Sequence, residues 1–240
     1  DEYLIFMAHW DHLGVNEELV GDQIFNGAAD NAAGVAAVIE LGRKFDQVQT
    51  ERSIIFTALT LEESGLLGSI YLAENPPFDL ANVVAGFNFD RVLPTGKTKD
   101  MAVIGYGASE LEDYLEAELE KQGRYINPDP NPEKGYFYRS DHISFAKKGV
   151  PVLYSDDGFD LEEGGIEEGF KEIYDYTNFR YHGVNDEYDP SWNLEGFEQT
   201  IDTIFNISQD LSNSPDWPNW YEGNEFRATR DAQLSSKNNP

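Results

Sequence analysis

Tyr3-Leu4-Ile5-Phe6-Met7-Ala8 runs straight into His9-Trp10-Asp11. An unbroken apolar run of strand length fits a strand covered on both faces, as in a parallel sheet enclosed by helices, and not the alternation of a half-exposed ribbon. The polar residues that end the run then stand at the strand's carboxyl end, where open α/β sheets hold their ligands. The same grammar recurs along the chain. Residues 53–59 form a second strand, followed by Glu62-Glu63-Ser64-Gly65 and a short helix at about 66–73; residues 83–89 form a third, ending at Asp90; residues 102–106 and 150–154 form a fourth and a fifth. Residues 32–45, with Val35, Val38, Ile39 and Leu41 at helical spacing, read as a helix. So does the segment from Ser109 and Glu112, a capping-box pair, through Leu111, Leu115 and Leu119 to about Gln122. A short helix follows Tyr138-Arg139-Ser140-Asp141-His142, and a last helix spans about 194–211. Residues 156–189 read as acid-heavy and irregular, and residues 214–240 as a polar tail of the same domain. Strands alternating with helices predict an α/β fold: a three-layer α/β/α sandwich around a mixed, mainly parallel central sheet, in one domain over 1–240.

Composition narrows the partners. Asp and Glu number 45 against 17 Lys and Arg, a net charge of −28. Proteins that grip phosphates need clustered cations, so neither nucleic acid nor an anionic membrane surface is an expected partner. No stretch reaches the roughly 18 apolar residues of a membrane span. Cysteine is absent, which removes thiol nucleophiles, thiolate metal sites and disulfides together. So large a negative charge suits a salty medium, where screening relieves self-repulsion.

The residues at and between the strand ends are His9, Asp11, Asp30, Glu62, Glu63, Asp90, Asp141 and His142, all of metal-ligand or acid–base type. Two of the chain's four histidines are among them; His12 and His182 are the others. Imidazole and carboxylate donors suit zinc or a similar divalent ion, and this many suffice for two ions about 3.5–4 Å apart. His9 and Asp11 lie two apart on extended chain and share a face, so Asp11 can orient the His9 ring. Of the adjacent pair Glu62-Glu63 in a Gly-containing loop, one can bind metal while the other addresses the attacking water.

At these residues the chain resembles the M28 family of metallopeptidases, the di-zinc aminopeptidase group. The resemblance rests on Ala8-His9-Trp10-Asp11-His12, Gly27-Ala28-Ala29-Asp30-Asn31-Ala32-Ala33-Gly34, Glu62-Glu63-Ser64-Gly65-Leu66-Leu67-Gly68-Ser69, Asn88-Phe89-Asp90 and Ser140-Asp141-His142, five motifs in the family's order. It implies two zinc ions bridged by Asp30, with His9 and Asp90 on one and Glu63 and His142 on the other, Glu62 as general base and Asp11 as its catalytic companion behind His9. The activity implied is removal of the N-terminal residue from a peptide with a free amine, in a periplasmic or extracellular setting. The family's catalytic domain also carries a strand and helical material ahead of the first histidine strand, so upstream elements are expected. A metallo-carboxypeptidase, a glutaminyl cyclase and a catalytically silent binding domain are the alternatives the same fold permits.

Other features carry less. His12 reads as a loop residue behind the site, and His182, in Tyr181-His182-Gly183, as a residue near it by the same resemblance. Asp156, Asp157, Asp160, Glu162, Glu163, Glu167 and Glu168 could form a calcium site or a substrate-selecting wall, but acidic runs are usually solvated and the spacing is not that of a calcium loop, so solvated surface is the expectation. Gly105-Tyr106-Gly107 invites a dinucleotide reading, but Glu110 occupies the third glycine position and would repel a pyrophosphate. The sequon Asn206-Ile207-Ser208 falls inside a predicted helix, and no Gly-x-Ser-x-Gly elbow occurs.

Overall fold

The computed structural model describes residues 2–238. Its strands are β1 (Tyr3–His9), β2 (Gly14–Val15), β3 (Ile24–Phe25), β4 (Ser53–Leu59), β5 (Val83–Asn88), β6 (Asp100–Val103), β7 (Tyr125–Pro128) and β8 (Val152–Asp157). Its α-helices are α1 (Ala33–Phe45), α2 (Leu67–Glu74), α3 (Leu111–Gln122), α4 (His142–Ala146), α5 (Gly165–Phe179), α6 (Glu195–Ser212) and α7 (Arg227–Asn238). Six strands form one sheet in the order β4-β1-β5-β8-β6-β7, and β2 and β3 form a separate hairpin. Neighbours in the large sheet are parallel except β6, which runs antiparallel to β8. The sheet is therefore mixed and mainly parallel, as the continuous apolar strands require.

Alternation along β1 divides the core. Leu4, Phe6 and Ala8 face the layer that includes α1, α3 and α6, where Phe6 stacks on Phe87 at 5.1 Å and Leu41, Leu115 and Ile204 close the space. Ile5 and Met7 face the opposite layer, with Phe145 of α4, Leu72 of α2, Val83 and Val152. Both faces are covered, giving three layers. The register pairs His9 with Leu59 and Met7 with Asn88. Three neighbouring strands thus deliver their following residues to one rim: His9 from β1, Glu62 and Glu63 after β4, and Asp90 after β5.

Several elements differ from the sequence reading, among them the β2–β3 hairpin, in a stretch expected as loop, and β8, observed at Val152–Asp157 and not 150–154. The fourth strand is Asp100–Val103 and not 102–106, because Gly105 takes a left-handed φ of 77° and turns the chain away. The polar segment Tyr125–Pro128 pairs as an edge strand, a position that tolerates a terminal proline. The stretch 156–189 is not irregular throughout, since α5 fills Gly165–Phe179 and buries Tyr176 against Ala29 and Leu93. The tail contains α7, whose buried Arg230 donates to the carbonyls of Val83 and Val84, both at 2.9 Å. Trp220, fully buried, packs there beside Ile143 and Phe226. No helix among the described residues is long and apolar enough to cross a membrane.

Candidate active site

His9 ends β1 with its ring already oriented: Nδ1 donates to the Asp11 backbone carbonyl at 3.1 Å. That leaves Nε2 facing Oδ1 of Asp30 and Oδ1 of Asp90, each at 3.2 Å. Asp11 therefore supports His9 through its main chain, while its carboxylate, 3.8 Å from Nδ1, accepts the backbone N–H of Glu62 at 3.2 Å. One residue so fixes both the imidazole and the start of the Glu62-Glu63 loop.

Asp30 lies in the buried turn between Gly27 and α1. Gly27 enters it at φ 60°, where an added Cβ would stand 2.3 Å from the Asp30 carbonyl oxygen. Asn31 anchors the far side, donating to the Phe89 carbonyl at 2.9 Å and accepting from Gly34 N at 3.0 Å. The turn is thereby locked to the end of β5, which presents Asp90.

A second group of donors faces the other oxygen of Asp30. His182 Nε2 is 3.3 Å from Asp30 Oδ2 and 3.0 Å from Glu63 Oε2, and His12 Nδ1 is 2.8 Å from Glu63 Oε1. The His12–Glu63 approach lacks hydrogen-bond alignment: both His12 nitrogens and Glu63 Oε1 are buried without a hydrogen-bond partner. Two donor clusters result, His9–Asp30–Asp90 and His12–Asp30–Glu63, with Asp30 common to both. A tetrahedral ion with N or O ligands at about 2.0–2.1 Å sets adjacent ligands about 3.3 Å apart. The carboxylate–imidazole separations of 3.0 to 3.3 Å around His9 and His182 match that spacing, and hard and borderline donors without sulfur suit zinc. The residues present fit a divalent ion in each cluster.

His142 is not in either cluster. It opens α4 with its ring fully buried between Phe137 and Tyr154, centroids 4.9 and 4.8 Å away, and neither nitrogen meets a carboxylate. Burial without a counter-charge pushes it down to about 3. The expectation that it pairs with Glu63 is corrected: the helix start turns it inward, and His182 and His12 occupy the space beside Glu63. His182 is held at φ 56° and stacks on Tyr181 at 3.9 Å. Its neighbouring aromatic was the available sequence signal.

The electrostatics follow from the packing. Burial opposes charge on His9, but the hydrogen bonds and charges of Asp30 and Asp90 override it and lift it to about 12. Hydrogen bonds to Asp30 and Glu63 raise His182 to about 10. Both imidazoles thus act as cations among carboxylates, which is the charge a metal would supply. Glu62 makes no ion pair among the described residues, and the His9 charge opposes its shift only in part. Burial, reinforced by the Asp90 charge, pushes it up to about 9, and it lines the cleft.

That cleft, of about 420 Å³, opens beside both clusters and is lined by Asp30, Glu62, Glu63 and His182 on one wall and by Arg91, Arg139, Tyr154, Asp156 and Tyr181 elsewhere. Arg91 forms an ion pair with Asp156 and lies over the Tyr176 ring. Asp156 is therefore a buried wall residue and Asp157 a partly buried one, contrary to the expectation of solvated surface, whereas Glu162, Glu163, Glu167 and Glu168 are more open. The Gly105-Tyr106-Gly107 loop offers no phosphate site, because Glu112 already takes the N–H groups of Gly107, Ala108 and Ser109 at 2.7 to 3.2 Å.

A family model described as Peptidase family M28 matches residues 1–208. The chain belongs to this family. A probable zinc metalloprotease of Pyrenophora tritici-repentis is 29% identical over 198 residues, covering 78% of this chain and 44% of that protein. The chain spans about half the length, or less, of the curated relatives it matches. Among solved structures, the LapA aminopeptidase of Legionella pneumophila superposes with a TM-score of 0.67 at 20% identity, over 90% of this chain and 53% of that one. A Porphyromonas gingivalis glutaminyl cyclase superposes with a TM-score of 0.58 at 18% identity, over 88% and 73%. At such identity the structural likeness establishes a shared fold.

Proposed function

We propose that this chain is the catalytic domain of a zinc-dependent aminopeptidase acting, outside the cytoplasm, on peptides with a free N-terminus. The observation that carries the reading is the sharing of Asp30: one carboxylate serves two donor clusters, with an uncommitted glutamate at the edge of the same cleft. His9, Asp30 and Asp90 would hold one zinc ion, and Asp30, Glu63 and His182 the other, with His12 behind Glu63. Bound there, the ions would polarise the scissile carbonyl and acidify water.

The chain's own groups do the rest. Glu62 Oε takes a proton from the attacking water and returns it to the leaving nitrogen. Asp11 keeps Glu62 placed by accepting its backbone N–H. The carboxylate-lined wall receives the substrate's ammonium end.

The test is zinc content of protein purified without added metal, with Leu-p-nitroanilide hydrolysis before and after chelation and zinc return. About two equivalents and reversible activity are expected. Glu62→Ala should keep the zinc and lose about 10²- to 10⁴-fold in turnover. Near-normal turnover in that variant, or cyclisation of N-terminal glutamine without hydrolysis in the parent, would sink the reading.

A further inference from the structure

In a chain of net charge −28 an unneutralised cation inside a cleft is a placed feature. Two arginines line this one. Arg91 is matched by Asp156. Arg139 is exposed and, among the described residues, meets no carboxylate; its guanidinium lies over the Tyr136 ring, 5.5 Å from the centroid.

The rest of the lining is already committed. Asp30, Glu63 and Asp90 face imidazoles in the donor clusters, Glu62 is the base, and Asp156 answers Arg91. The Tyr138 hydroxyl already donates to Glu225 at 2.8 Å, so what remains available to a bound molecule is one positive charge beside Tyr136 and Tyr181. A planar guanidinium with free donors beside phenolic hydroxyls recognises a carboxylate, in two parallel hydrogen bonds where geometry allows.

We propose that Arg139 is an anion subsite of the cleft, receiving a carboxylate of the peptide while the ammonium end lies at the acidic wall. The proposal rests on the peptidase reading above. The carboxylate can belong to an acidic side chain or to the C-terminus of a short peptide, and one chemistry serves both. An exposed charge pair of this type strengthens binding by about three- to fivefold.

The experiment is calorimetric titration of the zinc-loaded chain and of Arg139→Gln with four uncleavable analogues. These are Leu-Glu and Leu-Gln with the peptide bond reduced to methylene-amine, each as free acid and as C-terminal amide. The parent chain should bind carboxylate-bearing analogues about three- to fivefold more tightly than the Gln amide, and Arg139→Gln should bring them within twofold of one another. Preference for both Glu compounds identifies the side chain as the source; preference for both free acids identifies the terminus. Equal affinities in the parent chain, absence of binding, or a preference that survives in Arg139→Gln overturns the subsite. An Arg139-dependent preference with no cleavage of the normal peptides instead overturns the peptidase reading and leaves the subsite standing.

Discussion

The carboxylate of Asp186 accepts the backbone N–H of Asp30 at 3.0 Å, and with it the N–H of Ala29 at 3.1 Å. Asp186 is fully buried, takes the Tyr176 hydroxyl at 3.3 Å and follows His182 by four residues in the same loop. A single side chain that touches no donor atom of the clusters therefore clamps the turn bearing Asp30 to the loop bearing His182. Groups that orient ligands from behind in this way typically contribute about 10- to 100-fold to metal affinity.

Asp186→Ala should accordingly weaken zinc binding by about 10- to 100-fold, read by competition with a chromophoric chelator. Its buried partners also lose an acceptor, so melting temperature should fall as well. Unchanged zinc affinity in a folded variant would show that the turn holds its shape without the clamp.

His182 and His142 separate by their metal content. His182→Ala removes the imidazole that stands within 3.3 Å of both Asp30 and Glu63, and should cost about one equivalent of zinc or leave it weakly held. His142→Gln keeps a polar group between Phe137 and Tyr154 and should retain zinc while losing stability by a kilocalorie or two, roughly, as buried substitutions do. The reverse pattern would restore His142 to the ligand set.

These two histidines also mark where sequence reasoning reached its limit. The sheet was legible because β1, β4 and β5 are near-continuous apolar runs and β8 opens with one, and the rim residues His9, Glu62, Glu63 and Asp90 follow directly from where the first three end, while Asp30 lies in the loop that leads into α1. His142 looked equivalent, since it lies between predicted strands and the family resemblance paired it with Glu63; only the inward turn of α4 removes it from the rim. His182 lies in a loop after α5, and α5 itself was obscured by its acids and by Gly164, Gly165 and Gly169, although Ile166, Phe170, Ile173 and Tyr176 keep helical spacing. For α7 no apolar stripe exists to find: its anchor is the buried Arg230, a residue type ordinarily read as surface.

Away from the cleft wall, Asp157 makes stability depend on pH in a definite direction. Burial lifts it to about 6, although Thr200 and Leu93 N donate to it. A carboxyl group raised above its unfolded value binds its proton more tightly in the folded state. Its contribution is therefore intact below about pH 4 and is lost as pH rises through about 6. In Asp157→Asn that loss is absent. Urea unfolding of both chains at pH 4, 5.5 and 7 should show the difference moving in the variant's favour by up to about 3 kcal/mol. A constant difference across the three pH values would refute the assignment.

The charge of the whole chain yields the last expectation. With 45 acids against 17 bases, repulsion among surface carboxylates opposes compaction at every pH where they are ionised. Some of the exposed pairs, such as Lys171 with Glu168 and Arg43 with Glu40, are weakened by salt, but each is worth little. Self-repulsion is summed over many more charges, and it is screened when the Debye length falls from about 10 Å at 0.1 M to about 3 Å at 1 M. Relief should therefore exceed the loss of pairs. The melting temperature of the zinc-loaded chain should rise by about 5 °C between 0.05 and 1 M NaCl, approximately the shift that one to two kilocalories gives a domain of this size. A flat or falling trace would mean that the pairs already balance the repulsion, and that the acidic surface confers no preference for a saline medium.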